Sequence, residues 1–390
     1  MIMSLISKEI TPEKALNDYL DSIYLLSHSE SSKKAYRSFI KNDQSGFRKF
    51  LKDSFNCDEI QLAFRIENKE LDVYQVLNKY VVYLDKNEIK PRGIKSALSC
   101  VKGYLTSMGI EVYSEKCKQL IKLPKIRKVK KEPLTKEILI KLLHVLPVKL
   151  RTAVLIAVSS GMRIGEIAEM TIEDIEFNSD PVSINIRAET TKTREERDTF
   201  ISKEASEALR DYLTRFFGWR EDKQNKNLLG RKIFGRTSKT TNKMEFSLSE
   251  QKRNAGLLQT TLYRSIENIP ELFKFNKEGR KIIHFHAFRD FFYTQVSTIS
   301  GSNFAHALMG HGEYLDTYYV LASKQKISLY KKAEPYITIS DYSKIEKDLE
   351  KIQEQNSDIL DQYQKLERYL RQKDPSFPKF LEMLKEDSLN

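Results

Sequence analysis

Two arginines, two histidines, a lysine and a pair of tyrosines stand in settings that suit phosphoryl transfer. Arg163 lies in the segment SSGMRIGEI, after a glycine turn and at the start of a predicted helix, with Glu166 three residues on. That spacing puts the carboxylate on the same helical face, where it can buttress the guanidinium. His286 and Arg289 stand at i and i+3 in HFHAFRDFF, which predicts one face of one helix. His311 occupies a glycine turn in LMGHGEYLDTYYV, ahead of a helix carrying Tyr318 and Tyr319. Lys192 falls at the tip of a predicted hairpin in ETTKTREERDTF.

A hydroxyl that attacks a phosphodiester builds negative charge on the non-bridging oxygens. Each preorganised donor aimed at that charge contributes roughly 3 kcal/mol. Arginine suits the task because its planar fork grips phosphate bidentately and stays charged. The leaving oxygen needs a proton and the nucleophile needs somewhere to lose one. A free tyrosine titrates near pH 10, so at neutral pH it needs that acceptor and a cationic field. Such a set requires neither metal nor cofactor. His284 beside His286 invites a metal reading, but no third ligand stands at zinc spacing and no cysteine is near, so no metal is expected. The phenylalanines around Arg289, and Phe304, recur at helical spacing and read as core.

The elements that must position these residues can be read from periodicity. Over the first hundred residues apolar side chains recur at three and four in Ala15–Leu26, Phe47–Leu51, Tyr74–Leu84 and Ile94–Leu105, with Gly109 closing the last run. An all-helical domain over residues 1–121 is predicted. Residues 122–133, KLPKIRKVKKEP, bring Lys122, Lys125, Arg127, Lys128, Lys130 and Lys131 together with no acid before Glu132. Prolines bracket this stretch, so it reads as an extended basic linker, either a strap along a polyanion or a solvated loop.

Thr135 then caps a helix carrying Ile138, Leu139, Leu142 and Leu143, and a second apolar helix, Leu150–Ser159, stops at Gly161. Alternating stretches at Ile172–Phe177, Val182–Arg187 and Asp198–Ser202 predict a small antiparallel sheet with an exposed hairpin. Helices resume at Glu204–Phe217 and dominate afterwards. A glycine-containing loop over 226–243 holds six basic residues and no acid, among them Arg231, Lys232 and Arg236. The domain over 134–340 is thus mainly α with a small sheet.

The tail over 341–390 repeats apolar residues at Ile345, Leu349, Ile352, Ile359, Tyr363, Leu366 and Leu370, with Asn356 at an a position. That is a heptad seam: a coiled coil joining copies of the chain through 345–370, or a long helix folding back on its own domain.

Composition fits a polyanion partner. Among 390 residues, 66 are Lys or Arg and 54 Asp or Glu, a formal charge of +12. The tail over 341–390 is net acidic, so the excess belongs to the body. Three scattered cysteines, Cys57, Cys100 and Cys117, suit a reducing compartment and core packing. No run of eighteen apolar residues and no cleavable leader pattern is seen, so a cytoplasmic protein without membrane contact is expected.

Arg in SG-x-R-x-x-E, Lys in a T-K-T hairpin, H-x-x-R, then G-H and a tyrosine, in that order, resemble the tyrosine recombinase (phage integrase) family from about Leu134 to Leu321. The resemblance implies a helical, SAM-like core-binding domain ahead of an α/β catalytic domain. It implies that Arg163 and Arg289 clamp a scissile phosphate and that Lys192 is the general acid. His286 would accept the tyrosine proton, His311 would donate to a phosphate oxygen, and Tyr319 would form a 3′-phosphotyrosyl link. Double-stranded DNA with a specific core site, association with the nucleoid, and a tetramer on DNA follow from it as expectations.

The sequence departs from the pattern in three places. Family members usually carry the nucleophile nine residues after the G-H histidine; here that position is Val320, Tyr319 is at eight and Tyr318 at seven. Tyr318 therefore stays open as the alternative nucleophile. Asp290 follows Arg289 where many relatives have histidine, and the segment between the histidine motifs is compact. A type IB topoisomerase, or a DNA-binding protein whose chemistry has lapsed, would carry similar residues.

Overall fold

A computed structural model describes residues 11–126, 132–191, 194–220, 228–235, 248–277, 279–310, 322–340, 357, 359–370 and 373. The chain divides into two compact units: Met1–Lys131 with Ser247–Glu250, and Glu132–Phe246 with Gln251–Asn390.

The first unit is built from α1 (Pro12–Ser27), α2 (Glu30–Lys41), α3 (Phe47–Phe55), α4 (Glu59–Glu67), α5 (Val73–Lys86), α6 (Pro91–Ser107) and α7 (Ser114–Leu120). Side-chain caps open four of these helices. Thr11, Ser29 and Asp72 each accept a backbone N–H, and Asp58 forms a reciprocal box with Gln61. Phe47, Phe50, Tyr80, Tyr104, Leu16 and Leu20 fill the core. Cys100 and Cys117 are buried among them and all three cysteines are free. Burial pushes the Cys100 thiol up to about 12, which keeps it an inert packing residue.

The second unit opens with α8 (Lys136–Val145), where Thr135 Oγ1 accepts from the Ile138 amide at 3.4 Å. It continues into α9 (Val148–Ser160), in which every residue from Thr152 onward is buried. A helix apolar all round must lie inside the domain. Gly161 ends it at φ 66°, a conformation glycine adopts without strain.

After α10 (Ile164–Glu169) come β1 (Ile175–Glu176), β2 (Ser183–Ile186) and β3 (Arg197–Phe200). They form an antiparallel sheet in the order β1-β2-β3, with Ile186 opposite Arg197. The strand expected over Ile172–Phe177 shrinks to β1. Asp174 accepts from both the amide and hydroxyl of Thr171, at 2.8 and 3.1 Å, and winds Ile172–Asp174 into a 3-10 turn.

Helices α11 (Lys203–Phe217), α12 (Leu248–Ile266), α13 (Phe285–Ser300), α14 (Ser302–Met309) and α15 (Ser323–Ile337) complete the unit. The fold is thus mainly α with a small three-stranded antiparallel sheet. A second apolar cluster joins Phe200, Phe292, Phe304, Met309 and Tyr330, and so binds β3, α13, α14 and α15 together.

Residues 359–370 are helical, and Ile359, Leu360, Tyr363, Leu366 and Tyr369 on them are exposed. The expected seam between 345 and 356 lies outside the described residues. No helix among the described residues is long and apolar enough to cross a membrane.

Candidate active site

Arg163 stands at the N-cap of α10. Its amide donates to Glu166 Oε2 at 2.8 Å and its Nη1 to Glu166 Oε1 at 2.9 Å. Glu166 is 2% exposed. Burial alone would raise its pKa, but the charges and hydrogen bonds of Arg197 and Arg163 outweigh that and hold the carboxyl below its ordinary value. A buried carboxylate with two guanidinium partners stays ionised and rigid. Arg163 also sends Nη2 to the carbonyl of Gly310, at 3.2 Å.

Arg289 reaches the same place from α13. Its side chain is buried, Nη1 donates to the Gly161 carbonyl, and Nη2 donates to the Met309 carbonyl at 2.6 Å. Burial, then the nearby Arg163 charge, pushes the Arg289 pKa below its ordinary value. The cation is thus held at an electrostatic cost that an arriving anion would relieve. Two arginines 126 positions apart in sequence therefore bind consecutive carbonyls at the C-terminal end of α14, just before His311.

His286 and Arg289 share a helix, but their side chains part. His286 is 66% exposed, with Nε2 3.7 Å from Asp290 Oδ1, while Arg289 is buried. Residues three apart on a helix differ by about 60° around its axis, enough to put one on the rim and one inside. Asp290 thus faces His286 on the helix surface. Lys192, His311, Tyr318 and Tyr319 lie outside the described residues.

The hairpin base below Lys192 is well tied. Gln251 Nε2 donates to the Thr190 carbonyl at 2.9 Å, and Thr191 Oγ1 accepts from the Glu195 amide at 3.1 Å. Tyr330 is fully buried and donates its hydroxyl to the Ser159 carbonyl at 2.8 Å. Burial raises its pKa well above the ordinary value, so it is a core residue and no rival nucleophile.

Residues 132–321 match the model of the phage integrase family. The chain carries a phage integrase family domain. Among solved structures, a lambda integrase(75-356) dimer bound to a COC′ core site is similar at 15% identity, covering 80% of this chain and 100% of its own, with a TM-score of 0.48. XerA recombinase is similar at 16% identity, covering 82% and 98%, with a TM-score of 0.32. The Tn1549 transposon integrase in complex with transposon right end DNA is similar at 13% identity, covering 72% and 96%, with a TM-score of 0.40. No curated protein matches the chain.

Sequence reasoning missed one member of the integrase domain's charged cluster. Arg197, on β3, is 7% exposed. It donates from Nη2 to Glu166 Oε2 at 2.7 Å and from Nε to the Leu308 carbonyl at 2.9 Å. Strand alternation was its only signal: Arg197 and Thr199 face inward and Asp198 outward.

The basic residues expected to meet DNA divide. Lys122 and Lys125 are exposed, and the Lys122 amide donates to Asn78 Oδ1 at 3.2 Å. Arg231 is exposed, with its guanidinium 5.0 Å from the Phe217 ring centroid. Lys232 departs from the expectation. Its Nζ lies 2.8 Å from Glu169 Oε2 and its side chain is 19% exposed. Glue for a buried carboxylate is its visible task, since Glu169 without it would be a poorly compensated interior charge. Arg127, Lys128, Lys130, Lys131 and Arg236 lie outside the described residues. Among the described residues no group of three or more His, Cys, Asp or Glu is placed to hold a metal.

Proposed function

We propose that the chain is a site-specific DNA recombinase that cuts and rejoins DNA through a 3′-phosphotyrosyl link, with Tyr319 as nucleophile. The observation that carries this reading is the convergence of Arg163 and Arg289 on the Met309 and Gly310 carbonyls, within an integrase-family domain. The two guanidiniums form a cationic pair whose backbone acceptors a phosphate oxygen can replace. Glu166 fixes one of them from behind.

In this mechanism Arg163 and Arg289 neutralise the charge that grows on the non-bridging oxygens. Lys192 protonates the leaving 5′-oxygen, His286 takes the tyrosine proton, and His311 donates to a phosphate oxygen. The exposed position of His286 suits a group that meets substrate. The phosphotyrosyl ester conserves the energy of the phosphodiester, so a new 5′-hydroxyl can reseal it without ATP. Lys122, Lys125 and Arg231, which are exposed, would lie along the DNA backbone, and the helical first unit would hold the duplex. The exposed apolar helix over 359–370 would join copies assembled on DNA.

A nicked duplex library tests this. After cleavage the short strand beside the nick diffuses away and traps the covalent adduct, and sequencing the joined DNA defines the site. The adduct is expected with the natural chain and absent with Tyr319→Phe. An adduct that persists in Tyr319→Phe and vanishes in Tyr318→Phe moves the nucleophile by one residue. No adduct with the natural chain overturns the reading.

A further inference from the structure

Resting on that reading, we infer that Arg197 is a positioning residue for the phosphate site, acting through Glu166 and the end of α14. It touches neither reacting atom, since its side chain is 4% exposed.

The charge arithmetic is the first reason. Glu166 orients Arg163 but places a full negative charge beside it, at 2.9 Å. Alone, that pair is neutral and offers an incoming phosphate little field. Arg197 contacts the same carboxylate from the other side, at 2.7 Å. Arg289 lies within electrostatic reach of Glu166, Arg163 and Arg197, so these four groups set three guanidiniums against one carboxylate, a surplus of two positive charges. In a buried setting that surplus is felt strongly, because the effective dielectric is far below that of water.

Geometry is the second reason. Three arginines take three successive carbonyls: Arg197 holds Leu308, Arg289 holds Met309 and Arg163 holds Gly310. These are the last carbonyls of α14, which carry the negative end of its dipole and lack partners within the helix. Arg197 thus ties the strand that follows the Lys192 hairpin to the turn that precedes His311. Gly310 is shaped to admit it. A Cβ there would sit 2.8 Å from Arg197 Nε and Nη1, and the residue adopts φ +67°. Backbone and guanidinium both demand glycine.

The test uses the full-length chain and a nicked duplex bearing the site at which the natural protein becomes joined. Arg197→Met is expected to slow adduct formation about 100-fold, the scale of a misplacement near 1 Å. Its affinity for the same duplex should change by less than about 3-fold, because few phosphate contacts are lost. In an Arg163→Ala background the second substitution should cost less than about 3-fold more, since residues acting as one unit are non-additive. An unchanged rate in Arg197→Met, or a full 100-fold further loss in the Arg163→Ala background, overturns the proposal.

Arg197→Lys covers the case in which the methionine variant fails to fold. It keeps a charge but cannot span both Glu166 and Leu308, so it should fold and react about 10-fold slowly, the order of a lost supporting contact. A natural rate in Arg197→Lys overturns the proposal. If the natural chain forms no adduct anywhere, the functional reading fails, and the DNA-free protein still decides the geometry. Arg163 guanidinium resonances in a ¹⁵N spectrum should be slow to exchange in the natural chain and broadened in Arg197→Lys. Unbroadened resonances overturn it.

Discussion

Both units bury a glutamate against arginine, yet the two clusters differ in balance. In the first unit Glu59 on α4 is fully buried and accepts from Arg48 Nε at 2.8 Å. Arg48 reaches on to Glu13 at 2.5 Å, and Lys41 meets the other oxygen of Glu13 at 2.8 Å. Two carboxylates and two cations close the set at zero net charge. In the second unit one carboxylate, Glu166, faces Arg163 and Arg197 with Arg289 close by. The first arrangement is a staple between helices. The second leaves cationic capacity unspent, which is what the proposed phosphate site requires.

Substitutions that cut each cluster should break this contrast cleanly. Removing Arg163 (Arg163→Ala) should have the largest effect, lowering adduct formation about 1,000-fold, the loss seen when one preorganised charge-stabilising donor is deleted. Single-turnover kinetics on the nicked duplex measures it, and a loss under 10-fold would place the charge surplus elsewhere. Arg48→Met should strand Glu59 and cost about 3 kcal/mol of stability, with its partial exposure setting it at the low end for a broken buried pair. Thermal melting should show the first unit unfolding at lower temperature, while the adduct rate of folded protein stays within about 2-fold, as expected of distant independent sites.

The smallest effect is expected with acid. Glu166 has its pKa lowered by its arginines despite burial. Its contribution to stability is therefore complete above the ordinary value of 4.5 and is lost as pH falls through the lower folded value. Glu166→Gln should be less stable at neutral pH and show a shallower acid decline below about pH 4.5, the value at which an unfolded glutamate titrates. Urea midpoints against pH would reveal it, and parallel curves would mean that Glu166 is not the charged partner.

Much of the fold was legible because strong periodicity and unambiguous stop signals coincide. Thr135 caps α8 and Gly161 ends α9 where their chemistry predicts. Helices α2, α4 and α7 were not read from the sequence. Of these, α2 buries only Ile40 fully, with Tyr36 and Phe39 partly buried beside it, so its apolar stripe is confined to its second half and is short beside those of α1, α5 and α6. The charged cluster was half legible. Three-residue spacing put Glu166 on Arg163, but the same spacing did not put His286 beside Arg289 in space, because the helix surface curves away between them. Arg197 was hidden by its setting in a run of charged hairpin residues, where burial depends on the strand partner and cannot be seen locally. Lys232 was hidden in reverse, as a loop lysine drawn inward by Glu169.

The anchoring of the α14 carbonyls has a consequence for the tyrosines. Gly310 is pinned by Arg163, and Tyr319 follows it by nine residues. A chain of that length spans at most about 30 Å. In the proposed mechanism the arginines would thus fix one end of the segment that carries the nucleophile, and a hydroxyl from the same chain would lie within that reach of its clamp. Confinement within that reach would make the attack an intramolecular event, independent of protein concentration. On that mechanism, residues inserted between Gly310 and Tyr318 would widen the reach and slow the attack while leaving every proposed catalytic side chain in place.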